Sequence, residues 1–201
     1  MFYHVRQRGV AAVEFALLLP ILLILVFGMV DAGRALQANT IMVNIGREGA
    51  NLVARGNVDL ASSSQDVMYA LMASAPPLNV KQQGMIYITR VMGVVSNGVS
   101  RSVVLDQYRW DDAARNLGYR ASKYGPGSKV YSCGAWANGA CTSISSASRP
   151  ATSIMNGQLD NGEIVFVVET WYRYDMLTAG TATSFFGLPV FGPDLYSMTI
   201  F

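Results

Sequence analysis

The sequence has few of the side chains from which catalytic and metal sites are usually built. Among its 201 residues there are one histidine, His4, and two cysteines, Cys133 and Cys141. A zinc site or a Ser-His-Asp triad needs more of these residues than the chain supplies. Residues 118–129 contain glycines and lysines, but not at the spacing of a phosphate-binding loop. We therefore expect no metal, no cofactor and no enzymatic activity, although carboxylates and tyrosines leave an enzyme hypothesis open.

Charged residues are also scarce, whereas apolar residues are abundant. Charged side chains make up 14% of the chain, and the formal net charge is +2. Lysine and arginine are scattered, without the basic run that nucleic-acid binders carry, so we expect no nucleic-acid partner. Hydrophobic residues account for 51% of the chain, which is high for a soluble domain and indicates that part of the chain lies in lipid.

The most apolar stretch is residues 10–30, in which Glu14 is the only charged residue. As a helix rising about 1.5 Å per residue, these 21 residues span roughly 32 Å, close to the roughly 30 Å hydrocarbon core of a bilayer. Arg6 and Arg8 precede the run, so the positive-inside rule places the N-terminus in the cytoplasm and the rest of the chain across the membrane. The run predicts one transmembrane helix.

Two simpler interpretations of this run remain open. A secretory signal peptide would explain Arg6 and Arg8, but the run exceeds the usual length of about 7–15 residues, and residues 31–40 lack an Ala-x-Ala cleavage site. A plain membrane anchor fits the length but leaves Glu14 unexplained. A carboxylate within an apolar segment costs about 2.5–3.5 kcal/mol, so Glu14 needs a compensating partner.

The residues around Glu14 resemble a known family. Gly9 followed by VAAVEFALLLPILLILVFGMVDAGRAL is similar to the N-terminus of TadE-like proteins, the minor pseudopilins of tight-adherence (Flp, type IVc) pilus systems. The resemblance implies a prepilin whose basic leader, residues 1–9, is removed by a prepilin peptidase that cuts between Gly9 and Val10. Glu14 then becomes the fifth residue of the mature chain.

The resemblance also implies a role for Glu14, whose carboxylate would dock on the ammonium of Val10 in a neighbouring subunit. The expected partners are the prepilin peptidase, the major and other minor pilins, the inner-membrane assembly platform and the lipid bilayer. The expected location is the inner membrane, with the C-terminal domain in the periplasm or carried into an extracellular, adhesive pilus. Alternatives are an interfacial glutamate near headgroup water, a type II secretion minor pseudopilin, or a membrane-anchored periplasmic binding or sensing module that does not polymerise.

The helix is expected to continue beyond the membrane. Pro20 predicts a kink, because it removes one backbone hydrogen bond. Residues 31–55 contain no proline and should stay helical up to a stop at Gly56 and Asn57. Small residues recur four positions apart, a spacing that suits close packing on either a neighbouring subunit or the protein's own domain. These small residues are Gly28, Ala32, Gly46, Ala50 and Ala54.

The rest of the chain predicts a short helix and several strands. Ser62 with Gln65, or Ser63 with Asp66, forms a capping box for a helix that ends before Pro76. Two apolar runs flank Ser96-Asn97-Gly98 and predict a β-hairpin. Further strands are predicted at 164–174 and 196–201. On the first of these, alternate residues share one face: Ile164, Phe166, Val168, Thr170, Tyr172 and Tyr174.

Together these elements predict an α+β fold, in which a long N-terminal helix lies on a small, mostly antiparallel sheet as in pilins. The predicted organisation is a leader at residues 1–9, a transmembrane helix at 10–30 and an extracytoplasmic domain at 31–201.

A long excursion interrupts the predicted strands. Residues 111–162 are rich in Ser, Ala, Gly and Asn, and they predict little regular structure. Cys133 and Cys141 lie within the excursion as CGAWANGAC. After export, an oxidising compartment favours a disulfide between them, although two separate thiols are the alternative. The neighbouring aromatic residues belong to the core or form a partner surface: Trp110, Tyr131 and Trp136.

Overall fold

The computed structural model describes residues 8–55, 59–111, 126–177, 192 and 194–201. The chain divides into two compact units, one comprising Met1–Gln37 with Asp175–Pro193 and the other Ala38–Tyr174 with Asp194–Phe201. Helix α1 runs from Arg8 to Ala54 and contributes to both units. The predicted continuation of the helix to about residue 55 is therefore confirmed, and the stop expected at residues 56–57 lies outside the described residues.

Helix α2, Leu60–Ala73, begins earlier than the capping-box prediction. Its N-cap is Asp59, whose carboxylate accepts the Ala61 N–H at 3.1 Å. Ser62 and Ser63 lie inside the helix, and their hydroxyls donate back to Asp59 at 3.0 and 2.6 Å. The prediction of an N-cap at either serine was wrong, because the preceding aspartate already satisfies the free N–H groups of the first turn. A short helix α3, Val80–Gln83, follows.

The sheet is antiparallel throughout its described pairings and is built around one hairpin. Strands β1, Gly84–Ser96, and β2, Val99–Arg109, are joined at Asn97 and Gly98, whose φ angles are 53° and 76°. Positive φ at both positions is the type I′ turn that Asn-Gly favours, and it confirms the predicted hairpin.

The other strands lie on either side of this hairpin. Strand β6, Ile164–Arg173, pairs with β1, and β7, Asp194–Ile200, pairs with β6. Three two-residue strands lie on the β2 side: β3, Trp136–Ala137, β4, Ala140–Cys141, and β5, Ala151–Thr152. The long helix, short helices and antiparallel sheet make this an α+β fold, as predicted.

One face of the sheet is covered by the second half of α1. Its Met42 carbonyl accepts the Thr170 hydroxyl of β6 at 3.3 Å. Gly46 lies so close to β7 that an added Cβ would come within 3.0 Å of Thr199 Oγ1. The small residues spaced four apart on α1 were predicted to pack either on a neighbouring subunit or on the protein's own domain. Gly46 and the buried Ala50 pack on the protein's own domain. The other three of these small residues are exposed: Gly28, Ala32 and Ala54.

The opposite face of the sheet is covered by residues 126–163, which we call the cover segment. This segment has little regular structure, as expected, yet it supplies core side chains. One buried apolar cluster joins it to β1 and β6: Val91, Val130, Leu159, Val165 and Val167. Strand β6 is thus buried on both faces, whereas the alternating pattern in the sequence predicted a single buried face.

Candidate functional site

The predicted processing junction lies in the first turn of α1. Gly9 and Val10 are both helical, and Val10 is 60% exposed. No side chain or backbone atom of another element lies within 4 Å of the position that a Cβ on Gly9 would occupy. The junction is therefore uncovered by the part of the chain that the structure describes.

Glu14 lies one helical turn beyond Val10 and, like every residue of the stretch 9–30, is exposed. Residues four apart share a helix face. If cleavage creates an N-terminal ammonium at Val10, an ion pair between that ammonium and the Glu14 carboxylate of the same chain is therefore sterically possible. Among the described residues, however, Glu14 has no hydrogen-bond or ion-pair partner. No described part of the chain therefore occupies its carboxylate.

The apolar part of α1 has no cover from the described protein. Within the described residues, one helix, Gly9–Ala54, is long and apolar enough to cross a membrane, and its most apolar window is not buried. Pro20 lies inside this helix, which continues on both sides of it. The missing N–H of Pro20 leaves the Ala16 carbonyl without its usual helical partner, so a kink there stays a prediction.

A comparison with protein families found a similarity that includes this helix. Residues 9–51 match the family model of TadE-like proteins. The match begins at the predicted processing glycine and ends near the C-terminus of α1, so it covers the apolar helix and the continuation that packs on the sheet. No curated protein and no solved structure gave a significant match. Residues 9–51 are called the TadE-like segment below.

The TadE-like segment contains a second acidic residue, Asp31, immediately after the apolar run. Asp31 is only 2% exposed. Its Oδ1 accepts the backbone N–H of Leu177 at 2.9 Å, and the Arg34 guanidinium lies 4.0 Å away. The sequence alone does not single out Asp31 as a site residue. No local signal indicated its partner, which is 146 residues away along the chain.

Beyond the TadE-like segment, a buried carboxylate attaches the cover segment to the sheet. Glu169 on β6 is fully buried, and its oxygens accept the Lys129 backbone N–H at 2.8 Å, the Tyr196 hydroxyl at 3.0 Å and the Ser128 hydroxyl. Gln107 donates to the Ser128 hydroxyl oxygen at 2.9 Å. We call Glu169 and these four partners the polar clamp.

The electrostatics of the polar clamp favour a protonated Tyr196. Burial raises the pKa of Tyr196 well above its ordinary value, and the Glu169 charge and hydrogen bond raise it further. The Tyr196 hydroxyl therefore remains a donor across the physiological pH range. The Lys129 ammonium also lies 3.9 Å from the centre of the Tyr196 ring, a cation–π contact. Such an arrangement fixes the position of a loop.

Cys133 and Cys141 form a disulfide with a Cα–Cα distance of 6.0 Å. The bridged loop holds Trp136 against the Tyr87 ring, with centroids 6.0 Å apart, and beneath the Arg109 guanidinium. Of the three aromatic residues considered as a partner surface, Trp110 is fully buried and belongs to the core, whereas Tyr131 and Trp136 are half-buried. Among the described residues, no three His, Cys, Asp or Glu side chains are grouped as metal ligands.

Replacing both cysteines by serine should lower the free energy of unfolding by about 2–3 kcal/mol, because the short loop regains conformational freedom in the unfolded chain. Denaturant unfolding of the full chain in detergent, followed by tryptophan fluorescence, would measure this loss. The Ser143→Ala variant, which alters a hydroxyl next to the bridge but keeps the disulfide, is the control. Equal midpoints for the double variant and the wild type would contradict the prediction.

Proposed function

We propose that this chain is a minor pseudopilin of a tight-adherence pilus, made as an inner-membrane prepilin and cut between Gly9 and Val10. The observation that carries the proposal is the TadE-like match over residues 9–51. This segment contains an exposed apolar helix whose Glu14 carboxylate has no partner among the residues that the structure describes. A plain anchor gives no reason for that carboxylate. The family and the helix together support a pilus-associated protein held in a membrane.

Cleavage would change the electrostatics at the helix start. The prepilin peptidase removes Arg6 and Arg8 and creates an ammonium at Val10. In a filament, Glu14 of one subunit then pairs with the Val10 ammonium of its neighbour. A pair enclosed by apolar helices is in a medium of low effective dielectric, where attraction between opposite charges is much stronger than at a wet surface. The pairing offsets the cost of the carboxylate in the apolar segment.

The rest of the molecule fits a structural role, and we assign it no catalytic residue. The α+β unit carries the helix that assembles, and the cover segment and disulfide stabilise its surface. Its partners are the prepilin peptidase, the major and other minor pilins, the assembly platform and the bilayer, with the α+β unit in the periplasm or the pilus.

The test is the N-terminal residue of the protein in its own host. Intact mass should show a chain that begins at Val10, both in membranes and in sheared filaments, because the same cut permits docking. Full-length protein with residues 1–9 attached, and absent from filaments, would instead favour the non-polymerising periplasmic module. Processed protein crosslinked to type II secretion pilins rather than Flp-type pilins would favour that related system.

A further inference from the structure

The burial of Asp31 is unusual for its position on α1. The residue before it, Val30, is 46% exposed, and the residue after it, Ala32, is also exposed. The Asp31 side chain is nevertheless only 3% exposed, and its oxygen accepts the Leu177 N–H. The start of the β6–β7 connection therefore lies directly against the helix where the apolar run ends.

The direction of side chains on a helix determines where along the axis of α1 the contact between Asp31 and Leu177 lies. Side chains on a helix lean toward its N-terminus, so the group that Asp31 binds lies beside the turn that precedes Asp31. That turn, residues 27–30, is the last turn of the apolar run. With a rise of about 1.5 Å per residue, the Leu177 backbone lies within a few ångströms, along the helix axis, of the end of the apolar run.

We propose that residues 175–177 form a second bilayer contact, at the boundary between headgroups and acyl chains, with Leu177 as the side chain that enters it. This inference rests on the membrane anchoring included in the proposed function. Leu177 is 50% exposed, and it lies in the same compact unit as the apolar helix. The proposed surface is continuous with the exposed apolar surface of residues 10–30, so its occupant is the same bilayer.

The properties of the headgroup and acyl-chain layers are consistent with Leu177 at their boundary. Headgroup regions add roughly 5–8 Å on each side of the hydrocarbon core, enough to take up a leucine beside Asp31. The backbone N–H of Leu177 would be costly to bury in lipid without an acceptor. Asp31 supplies that acceptor and thus permits the chain to approach the apolar layer.

The experiment places an environment-sensitive fluorophore on single introduced cysteines in the full chain, with the native disulfide kept oxidised so that only the new thiol reacts. The protein is reconstituted in vesicles whose lipids carry a nitroxide quencher either at the headgroup or deep in the acyl chain. Leu177→Cys is the test position. Val26→Cys, inside the apolar run, and Leu36→Cys, roughly 7–8 Å of helix beyond Asp31, are the deep and outer controls.

The label at position 177 should be quenched more strongly by the headgroup nitroxide than by the deep one, and more strongly than the label at 36. Asp31→Ala should cause a severalfold loss of this quenching, whereas Asp31→Asn, which keeps an acceptor oxygen, should preserve it. Quenching at 177 no greater than at 36, with 26 deeply quenched, would overturn the inference while leaving membrane anchoring intact. Protection of 177 from aqueous quenchers without lipid quenching would assign the site to a protein neighbour and also overturn it. Absence of quenching at 26 would contradict the anchoring as well.

Discussion

The Glu14→Gln variant should enter the membrane and be processed normally, yet be almost absent from filaments. Glutamine keeps the shape of the side chain but removes the charge that, in the proposed docking, pairs with the Val10 ammonium of a neighbour. Removing one partner of a buried ion pair leaves the other charge uncompensated, at a cost of about 3–5 kcal/mol. Even about 3 kcal/mol lowers an equilibrium constant roughly a hundredfold, so the loss should be plain in any assay of incorporation.

Two further variants separate charge from membrane insertion. Glu14→Leu should insert at least as well as the wild type, because it removes the cost of a carboxylate among apolar residues, but it should assemble no better than Glu14→Gln. Glu14→Asp should be intermediate, since the charge remains but its reach is shorter. The measurement is the amount of protein in sheared filaments, normalised to its amount in membranes. If both uncharged variants are incorporated like the wild type, Glu14 is only an interfacial residue and the docking mechanism fails.

The Glu169→Leu variant should lose about 3–5 kcal/mol of folding stability. Leucine leaves the Ser128 hydroxyl, the Tyr196 hydroxyl and the Lys129 N–H without their acceptor at a buried position, and each unsatisfied buried donor costs about 1–3 kcal/mol. Glutamine at the same position keeps one acceptor oxygen and should be intermediate. The midpoint of denaturant unfolding of the full chain in detergent measures the difference.

A matched control for this variant is Glu48→Leu. Glu48 is exposed on α1 and, within the described ranges, accepts one hydrogen bond, from the Ser74 hydroxyl at 3.2 Å. The same substitution there should change stability by no more than about 0.5 kcal/mol, since surface changes away from buried networks have small effects. Equal losses at positions 48 and 169 would show that the polar clamp contributes nothing particular.

The elements that the sequence predicts well are those with local causes. The helix follows from a long apolar run that continues into residues 31–55, which contain no proline. The hairpin follows from Asn97-Gly98, because few residues other than asparagine and glycine accept positive φ at both turn positions. The candidate docking residue, Glu14, was also visible in the sequence, since a charge inside an apolar run is conspicuous without any knowledge of the fold.

The elements that the sequence did not predict depend on distant partners. The acceptor role of Glu169 depends on residues about forty positions earlier, and that of Asp31 on a residue near the other end of the chain. One signal was available for β6: the run IVFVV is apolar at both odd and even positions, which is typical of a strand buried on both faces. The burial of its odd-numbered face follows from that pattern, but the identity of the cover segment does not.

The polar clamp also orders the events of folding. The β1–β2 hairpin needs only its own turn and can form on the microsecond scale as soon as both strands are available. The cover segment comes next in the chain, but its acceptor Glu169 lies 41 residues beyond Ser128. Contacts of such separation form late, because loop-closure entropy must be overcome first. During synthesis from N- to C-terminus, residues 126–131 therefore lack this acceptor until β6 is available. A chain arrested before β6 would leave β1 with a free edge, the form most exposed to proteases and to aggregation.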